Sequence, residues 1–266
     1  MIDEEGRLRR IDYGDRLVFD DVIGIAGTTY PIGTAGMPSS VIADIITLCA
    51  ALNLHKISIH GALTLGAAME HYCFFGSEHQ DITDQLSLNG QDVDGGHIEG
   101  LIVTGAQGGD AFLTLVRCTV NALTLFAGRM ERCSFYTSTS SFRDASFIDL
   151  TDCAAISGVV TIQVQAPTRA SIKDWRGNLI LTLQDGGLCY VRGFKGTLEI
   201  DAMTDGTLNI YANGADITIN ADCIGTGTIN IYGSARVTDN HGAGTTVNDY
   251  TIDAAVAGLL LKLTPK

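Results

Sequence analysis

The acidic side chains of this 266-residue chain are the first candidates for chemistry, because glycoside hydrolysis needs two carboxylates at a defined separation. One stretch concentrates them, at Asp81, Asp84, Asp92, Asp94 and Glu99. We expect these carboxylates to lie in solvated loops rather than in a catalytic centre.

Pectinase-type enzymes accompany their carboxylates with the series Asn-x-Asp, Asp-Asp, Gly-His-Gly and Arg-x-Lys, and that series is missing here. The one Asp-Asp pair is Asp20-Asp21, near the start of the sequence. The nearest approaches to Gly-His-Gly lie around His97 and His241. The sequence therefore predicts no catalytic residue and no enzyme, with a glycoside hydrolase or lyase as the alternative.

A metal site would need His, Cys and acidic side chains at characteristic spacings. The one such cluster comprises Glu70, His71, Cys73, Glu78 and His79. No HExxH motif or paired CxxC accompanies it, so no zinc site is expected, while Asp and Asn loops leave calcium open. Glycine-rich segments 24–27 and 105–109 lack the lysine of a phosphate loop. We treat both as turns and expect no cofactor-binding or metal-binding residue.

Free thiols are a third source of chemistry. The chain has an odd number of cysteines with no CxxC pair, at positions 49, 73, 118, 133, 153, 189 and 223. Most lie inside apolar runs, where cysteine behaves as a small hydrophobic residue. We expect buried, inert thiols and synthesis in a reducing compartment.

The net charge limits the classes of partner that the chain can bind. With 17 basic and 30 acidic residues, the net charge of −13 repels phosphate backbones and anionic lipid. The most apolar stretch, 41–54, includes Asp44 and Asn53 and is too short to span a bilayer. Residues 1–6 are polar where a signal peptide would be basic and then apolar. We therefore expect no nucleic-acid partner, no membrane partner and no export signal.

Short strands must position most of these residues, because apolar-x-apolar triplets recur from residue 55 to about 238. Segment 175–181 matches 194–200 at an offset of 19, and 206–211 matches 227–232 at an offset of 21. A fixed period of about 20 residues is the signature of a repeat architecture.

A 20-residue repeat without a second helical pattern predicts an all-β, single-stranded parallel β-helix, expected to be right-handed. Stacking at ~4.8 Å per turn would give about nine turns and a rod of about 40 Å. The 31 glycines would mark corners, and the four prolines are few because central strands donate to both neighbours. A β-sandwich would not explain the offset, and the consensus of leucine-rich repeats is missing.

Aromatic residues one repeat apart are the remaining binding candidates. Trp175 pairs with Phe194, and Tyr211 pairs with Tyr232. These rings would stack on sugars if they faced solvent, but we expect both pairs to face the solenoid core.

Helical spacing of apolar residues predicts one amphipathic helix, with Ser39 and Ser40 as candidate N-caps and Asp44 in the first turn. We therefore predict four regions: an arm and loop at 1–38, a capping helix at 39–54, the β-helix at 55–240 and a C-terminal cap at 241–266. An apolar tail within 251–263 would cover the last turn or pack between subunits.

Four short phrases resemble β-helical structural proteins of tailed bacteriophages, which have a pectin-lyase-like solenoid: YPIGT at 30–34, KISIHG at 56–61, LSLNGQDV at 86–93 and VTG at 103–105. The resemblance covers roughly residues 28–240. It implies a virion protein, a tail, fibre or decoration component, made in the host cytoplasm. It also implies a homotrimer that contacts other virion proteins.

The expected function is thus a stable virion rod that contacts the host surface and its polysaccharides. Two alternatives remain open: a tailspike-like polysaccharide depolymerase and a bacterial β-helical surface adhesin. Release of new reducing ends from host polysaccharide would distinguish the depolymerase.

Overall fold

The computed structural model describes residues 14–76, 83–109, 112–136, 140–142, 147–157, 159–165 and 169–251. They form an all-β parallel solenoid of about nine turns with one helix. This confirms the predicted fold class. The chain divides into two compact units, Met1–Leu123 and Thr124–Lys266.

The strands of the first unit form two parallel series. One contains β1, β2, β4, β6 and β8, and the other contains β3, β5 and β7. Their bounds are β1 Leu17–Asp20, β2 Lys56–His60, β3 Ala62–Thr64, β4 Cys73–Phe75, β5 Gln85–Ser87, β6 His97–Glu99, β7 Ile102–Ala106 and β8 Leu113–Val116, followed by β9 Thr119–Thr124.

The strands of the second unit also pair in parallel, and they range in length from 2 to 13 residues. In one series β10, β13, β16, β18, β20, β21 and β22 pair in that order, and in another β12, β15, β17, β19 and β20 do so. The bounds are β10 Gly128–Glu131, β11 Ser134–Phe135, β12 Ser140–Phe142, β13 Phe147–Thr151, β14 Ala154–Ala155, β15 Val160–Gln165, β16 Arg169–Lys173, β17 Leu179–Gln184, β18 Leu188–Phe194, β19 Thr197–Met203, β20 Thr207–Ile219, β21 Thr228–Asp239 and β22 Thr246–Thr251.

Strand register confirms the period of the repeat. Leu179 lies opposite Leu198, an offset of 19, and Thr207 lies opposite Thr228, an offset of 21. Beyond residue 240, β22 adds a further parallel strand in which Thr246 lies opposite Thr228.

Inward-facing side chains stack into aliphatic columns. Val191, Ile210 and Ile231 occupy one column on three paired strands, and all three are fully buried. The next residue in that column is Asp249, which is exposed, so the aliphatic column ends at β22. Alternation along β18, β20 and the first five residues of β21 therefore separates core from surface as predicted.

Glycine is required at corners where successive turns touch. Gly196 has φ +140°, and a Cβ there would lie 2.4 Å from the carbonyl oxygen of Gly177. Other corners carry polar residues in the left-handed region, including Asp152 at φ 52° and Asp174 at φ 54°. Aspartate tolerates that conformation because its short side chain can bond locally.

The predicted helix exists and is shorter at both ends. Helix α1 runs Ile42–Leu52 and buries Ile45, Leu48, Cys49 and Leu52. It follows a segment in which Ser39 pairs with Phe19 of β1. Within the described residues no helix combines the length and hydrophobicity needed to cross a bilayer.

The expected serine N-cap is wrong. The N-cap is Val41, in an extended conformation with no side-chain cap bond. Ser39 instead bonds the backbone of Val41, at 3.3 Å from both its nitrogen and its oxygen. Asp44 does lie in the first turn, and its carboxylate accepts a hydrogen bond from the Gly27 nitrogen at 2.6 Å.

Some predicted regions fall outside the described residues. They are 1–13 of the arm and 252–266 of the C-terminal cap, which includes nearly all of the apolar tail.

Candidate functional site

One outward surface of the second unit repeats the pattern Thr-x-Asn-x-Tyr on three consecutive strands. The register places like residues opposite each other in three columns. We call this surface the Thr-Asn-Tyr face; its residues are Thr207, Asn209 and Tyr211 on β20, Thr228, Asn230 and Tyr232 on β21, and Thr246, Asn248 and Tyr250 on β22.

Strand alternation turns this face outward. Leu208 and Ile210 lie between the face residues of β20 and are fully buried. Tyr211 is 42% exposed and Tyr250 57% exposed. The face is therefore a solvent-facing surface anchored on the core through the intervening residues.

The tyrosine column is a continuous ring stack. The ring centroids of Tyr211 and Tyr232 are 5.0 Å apart at 16°, and those of Tyr232 and Tyr250 are 5.1 Å apart at 14°. The expectation that this pair faces the core is wrong, because alternation from Leu208 and Ile210 carries Tyr211 to the surface. The expectation is confirmed for Trp175 and Phe194, which are fully buried. Trp175 packs against Phe135, with ring centroids 5.2 Å apart.

The asparagine column is a hydrogen-bonded ladder. The Asn230 Nδ2 donates to Asn209 Oδ1 at 3.0 Å, and the Asn248 Nδ2 donates to Asn230 Oδ1 at 2.9 Å. Each amide has two N–H groups and one carbonyl oxygen, so the ladder uses one N–H of Asn230. The ladder orients the amides without consuming all of their bonding capacity.

A fourth row borders the face on β18. Tyr190 lies opposite Asn209, and Arg192 lies opposite Tyr211. The Arg192 guanidinium carbon is 5.8 Å from the ring centroid of Tyr190 and 5.6 Å from that of Tyr211. This cation–π contact places one positive charge at the end of the tyrosine column.

Charge distinguishes the face from the rest of the chain. Its nine side chains are all uncharged, whereas the chain has a net charge of −13. Hydroxyl, amide and aromatic groups are what it presents to solvent.

The acidic stretch of the first unit stabilises its loops. The buried Asp84 accepts a hydrogen bond from the Gly61 nitrogen at 2.8 Å. Asp94 accepts one from the Phe112 nitrogen at 2.8 Å, and Asp92 accepts one from the Asp94 nitrogen at 3.0 Å. Glu99 pairs with Arg117 and lies 3.4 Å from the His97 ring. Asp81 lies outside the described residues.

The Asp-Asp pair and the two histidine motifs are spread through the chain. Asp20 accepts hydrogen bonds from two backbone nitrogens of its own turn, and Asp21 accepts one from the Ala62 nitrogen. His97 lies on β6 of the first unit, while His241 contacts Asp239 in the second. Each motif thus has a separate local partner.

The candidate metal cluster is only partly described, since Glu78 and His79 lie outside the described residues. His71 has a positive φ of 63° in a turn, and Cys73 begins β4. Within the described ranges, no group of three or more His, Cys, Asp or Glu side chains is placed to hold a metal ion.

All seven cysteines are free thiols, and six of them are buried, as expected. Burial raises the pKa of Cys49 and of Cys189 to about 12, and that of Cys223 to about 11. Cys153 differs because a hydrogen bond from the Cys133 thiol, one turn earlier, lowers its pKa.

Sequence reasoning missed the Thr-Asn-Tyr face although the signal was present. Segments 207–211 and 228–232 were matched as repeats, but 246–250 follows at an offset of 18, outside the period of 19 to 21. Applying strict alternation through Tyr211 would also have placed the ring outside.

The Thr-Asn-Tyr face is therefore the candidate site, an exposed surface whose residues repeat at a regular spacing. Comparison with known proteins adds no relative: no family model matches the sequence, and searches of curated proteins and of solved structures return no match.

Proposed function

We propose that this chain is a structural component of a tailed-phage virion, in a tail, fibre or decoration structure, and that it contacts the host surface. It would assemble as a homotrimer together with other virion proteins. The observation that carries the proposal is the contrast between inward-facing and outward-facing side chains in the second unit. Inward positions build buried aliphatic columns on β18, β20 and β21, and outward positions repeat one exposed surface on β20, β21 and β22.

The core supports a structural role because it needs no covalent staple. All seven thiols are free, so stability comes from stacked apolar columns and from glycine corners closed against the preceding turn. A particle component exposed to proteases benefits from such a fold, since cleavage requires local opening.

The resemblance of segments 30–34, 56–61, 86–93 and 103–105 to β-helical phage proteins is the second support. Fold alone does not separate a structural protein from an enzyme, because function resides in sites on the fold. In the described residues the acidic groups of the first unit bond loop backbone or basic neighbours.

Labelling of intact particles tests the proposal. Gold-conjugated antibodies raised against the purified chain should decorate particles of the encoding phage at a defined structure in electron micrographs. Antibodies against a cytoplasmic phage enzyme serve as the control. Particles that remain unlabelled, with no peptide of the chain detected in them by mass spectrometry, would overturn the virion assignment.

Incubation with host-surface polysaccharide tests whether the role of the chain is structural rather than catalytic. We expect no new reducing ends after prolonged incubation of the purified chain with capsular or lipopolysaccharide sugars. An increase in reducing ends with time would replace the structural role by a depolymerase.

A further inference from the structure

The spacing of the Thr-Asn-Tyr face limits which ligands can use it. Its columns repeat at the strand separation of ~4.8 Å, and the tyrosine ring centroids repeat at 5.0 and 5.1 Å. A ligand that advances by a similar step meets the same hydroxyl, amide and aromatic groups at each strand. An extended chain of pyranose rings advances by about one ring per such step, whereas an extended peptide repeats every two residues, at ~6.8 Å.

The groups on the face match the chemistry of sugars. Threonine and tyrosine hydroxyls donate and accept hydrogen bonds, and the second N–H of Asn230 is not used in the ladder. Sugar hydroxyls need both donors and acceptors. Because the tyrosine rings stack on each other, their edges and phenol hydroxyls face the ligand.

The size of the face excludes a large partner. Five residue positions on three strands cover roughly 15 Å by 10 Å, about 150 Å². A stable protein interface buries about 800 Å² on each partner. The face is therefore far too small to hold a second protein by itself, and it suits two or three sugar rings.

Charge selects among sugars. The nine uncharged side chains offer no cation to hold a carboxylate or sulfate, and the net charge of −13 repels anions. Arg192 provides one positive charge at one end only, where it contacts the rings of Tyr190 and Tyr211.

We propose that the Thr-Asn-Tyr face binds an uncharged, extended oligosaccharide whose successive rings lie along the columns, one for each strand. This inference rests on the proposed contact with the host surface and names its ligand class. The ring stack and the amide ladder hold the face in place before the ligand arrives, which lowers the entropic cost of binding.

Isothermal titration calorimetry of the full chain tests the proposal with three hexasaccharides. Cellohexaose is uncharged and extended, maltohexaose is uncharged and curved, and the hexamer of galacturonic acid is anionic. We expect saturable binding of cellohexaose and at least tenfold weaker binding of the other two. The Tyr232→Ala variant, which removes the central ring, should weaken cellohexaose binding at least tenfold.

Two further variants distinguish a loss of sugar binding from a loss of folded structure. Tyr232→Phe retains the ring stack and removes one hydroxyl, so we expect a smaller loss, of several fold. Tyr136→Ala removes an exposed tyrosine of the same unit outside the face and should bind like the unmodified chain. Circular dichroism melting curves identify any variant that has unfolded.

Three results would overturn the inference: no hexasaccharide binds at millimolar concentration, binding is unchanged in both Tyr232 variants, or the Tyr232→Ala chain loses self-association in sedimentation runs. The last result would make the face a contact between copies. Failure of sugar binding with positive particle labelling removes this inference alone, whereas unlabelled particles remove the virion proposal.

Discussion

Burial sets the reactivity of the thiols. Cys189 lies in a fully buried column of the second unit, and burial raises its pKa to about 12. Cys73 is partly exposed, and burial raises its pKa as well, while Lys56 opposes that shift. The thiolate is the reactive form, so both access and ionisation favour Cys73.

Alkylation of the native chain at pH 8 should therefore modify Cys73 before Cys189. A thiol whose pKa is raised stays protonated below that pKa, so Cys189 should not react until the solution approaches pH 12 or the chain opens. Iodoacetamide labelling followed by peptide mass spectrometry measures this order, and the chain in denaturant, where all seven thiols should react, is the control. Equal rates at Cys73 and Cys189 in the native chain would contradict the expectation.

Backbone contact between turns makes particular glycines irreplaceable. Gly196→Ala should destabilise the fold by about 3 kcal/mol, because it adds φ strain to a close contact with the Gly177 carbonyl oxygen. Gly214→Ala is the matched control. Gly214 has φ +78° with nothing within 4 Å of an added Cβ, so only strain remains, about 1 kcal/mol. Urea unfolding curves measure both; equal losses would show that the contact relaxes freely.

Strand β20 of the second unit has a core side and a solvent side. On β20, Leu208 and Ile210 face the core while Asn209 and Tyr211 face solvent. The core side stabilises through burial, and the outward side through cross-strand pairs, which are worth about 0.2–1 kcal/mol each.

Truncation on the two sides of β20 should therefore differ in cost. Ile210→Ala leaves a cavity in the column shared with Val191 and Ile231, so we expect a loss of about 2–5 kcal/mol. Tyr211→Ala removes an exposed ring with one tyrosine and one arginine contact, so we expect about 1 kcal/mol. Thermal melts of both variants measure the contrast. A Tyr211→Ala loss as large as that of Ile210→Ala would mean that the face is part of the core.

At the scale of the whole molecule, the acidity of the chain and its oligomeric state determine how copies of it associate. The net charge of −13 and pI near 4.7 make copies of the chain repel one another at neutral pH. The predicted homotrimer would give a mass of three times 28.2 kDa in sedimentation equilibrium at pH 7. Sedimentation as a single 28.2 kDa species at micromolar concentration would contradict the trimer.

Much of the architecture could be predicted from the sequence, because each turn of a solenoid repeats the same short pattern of residues. Period-two alternation separates Leu208 and Ile210 from Asn209 and Tyr211, and an offset of 19 to 21 residues is the circumference of one turn. Both are properties of residue order, so they predict the parallel β-helix, its core columns and its glycine corners. The helix near residue 42 was equally visible, because apolar residues recur at helical spacing.

Contacts between residues of different turns could not be predicted from the sequence in the same way. The third row of the Thr-Asn-Tyr face follows after 18 residues, since the loop before β22 is shorter, and register across a loop depends on its path. The close contact of Gly196 with Gly177 and the stack of three tyrosine rings arise only when turns lie on one another. Residue order thus specifies the repeat, whereas the stacking of turns brings the three rows of the Thr-Asn-Tyr face together.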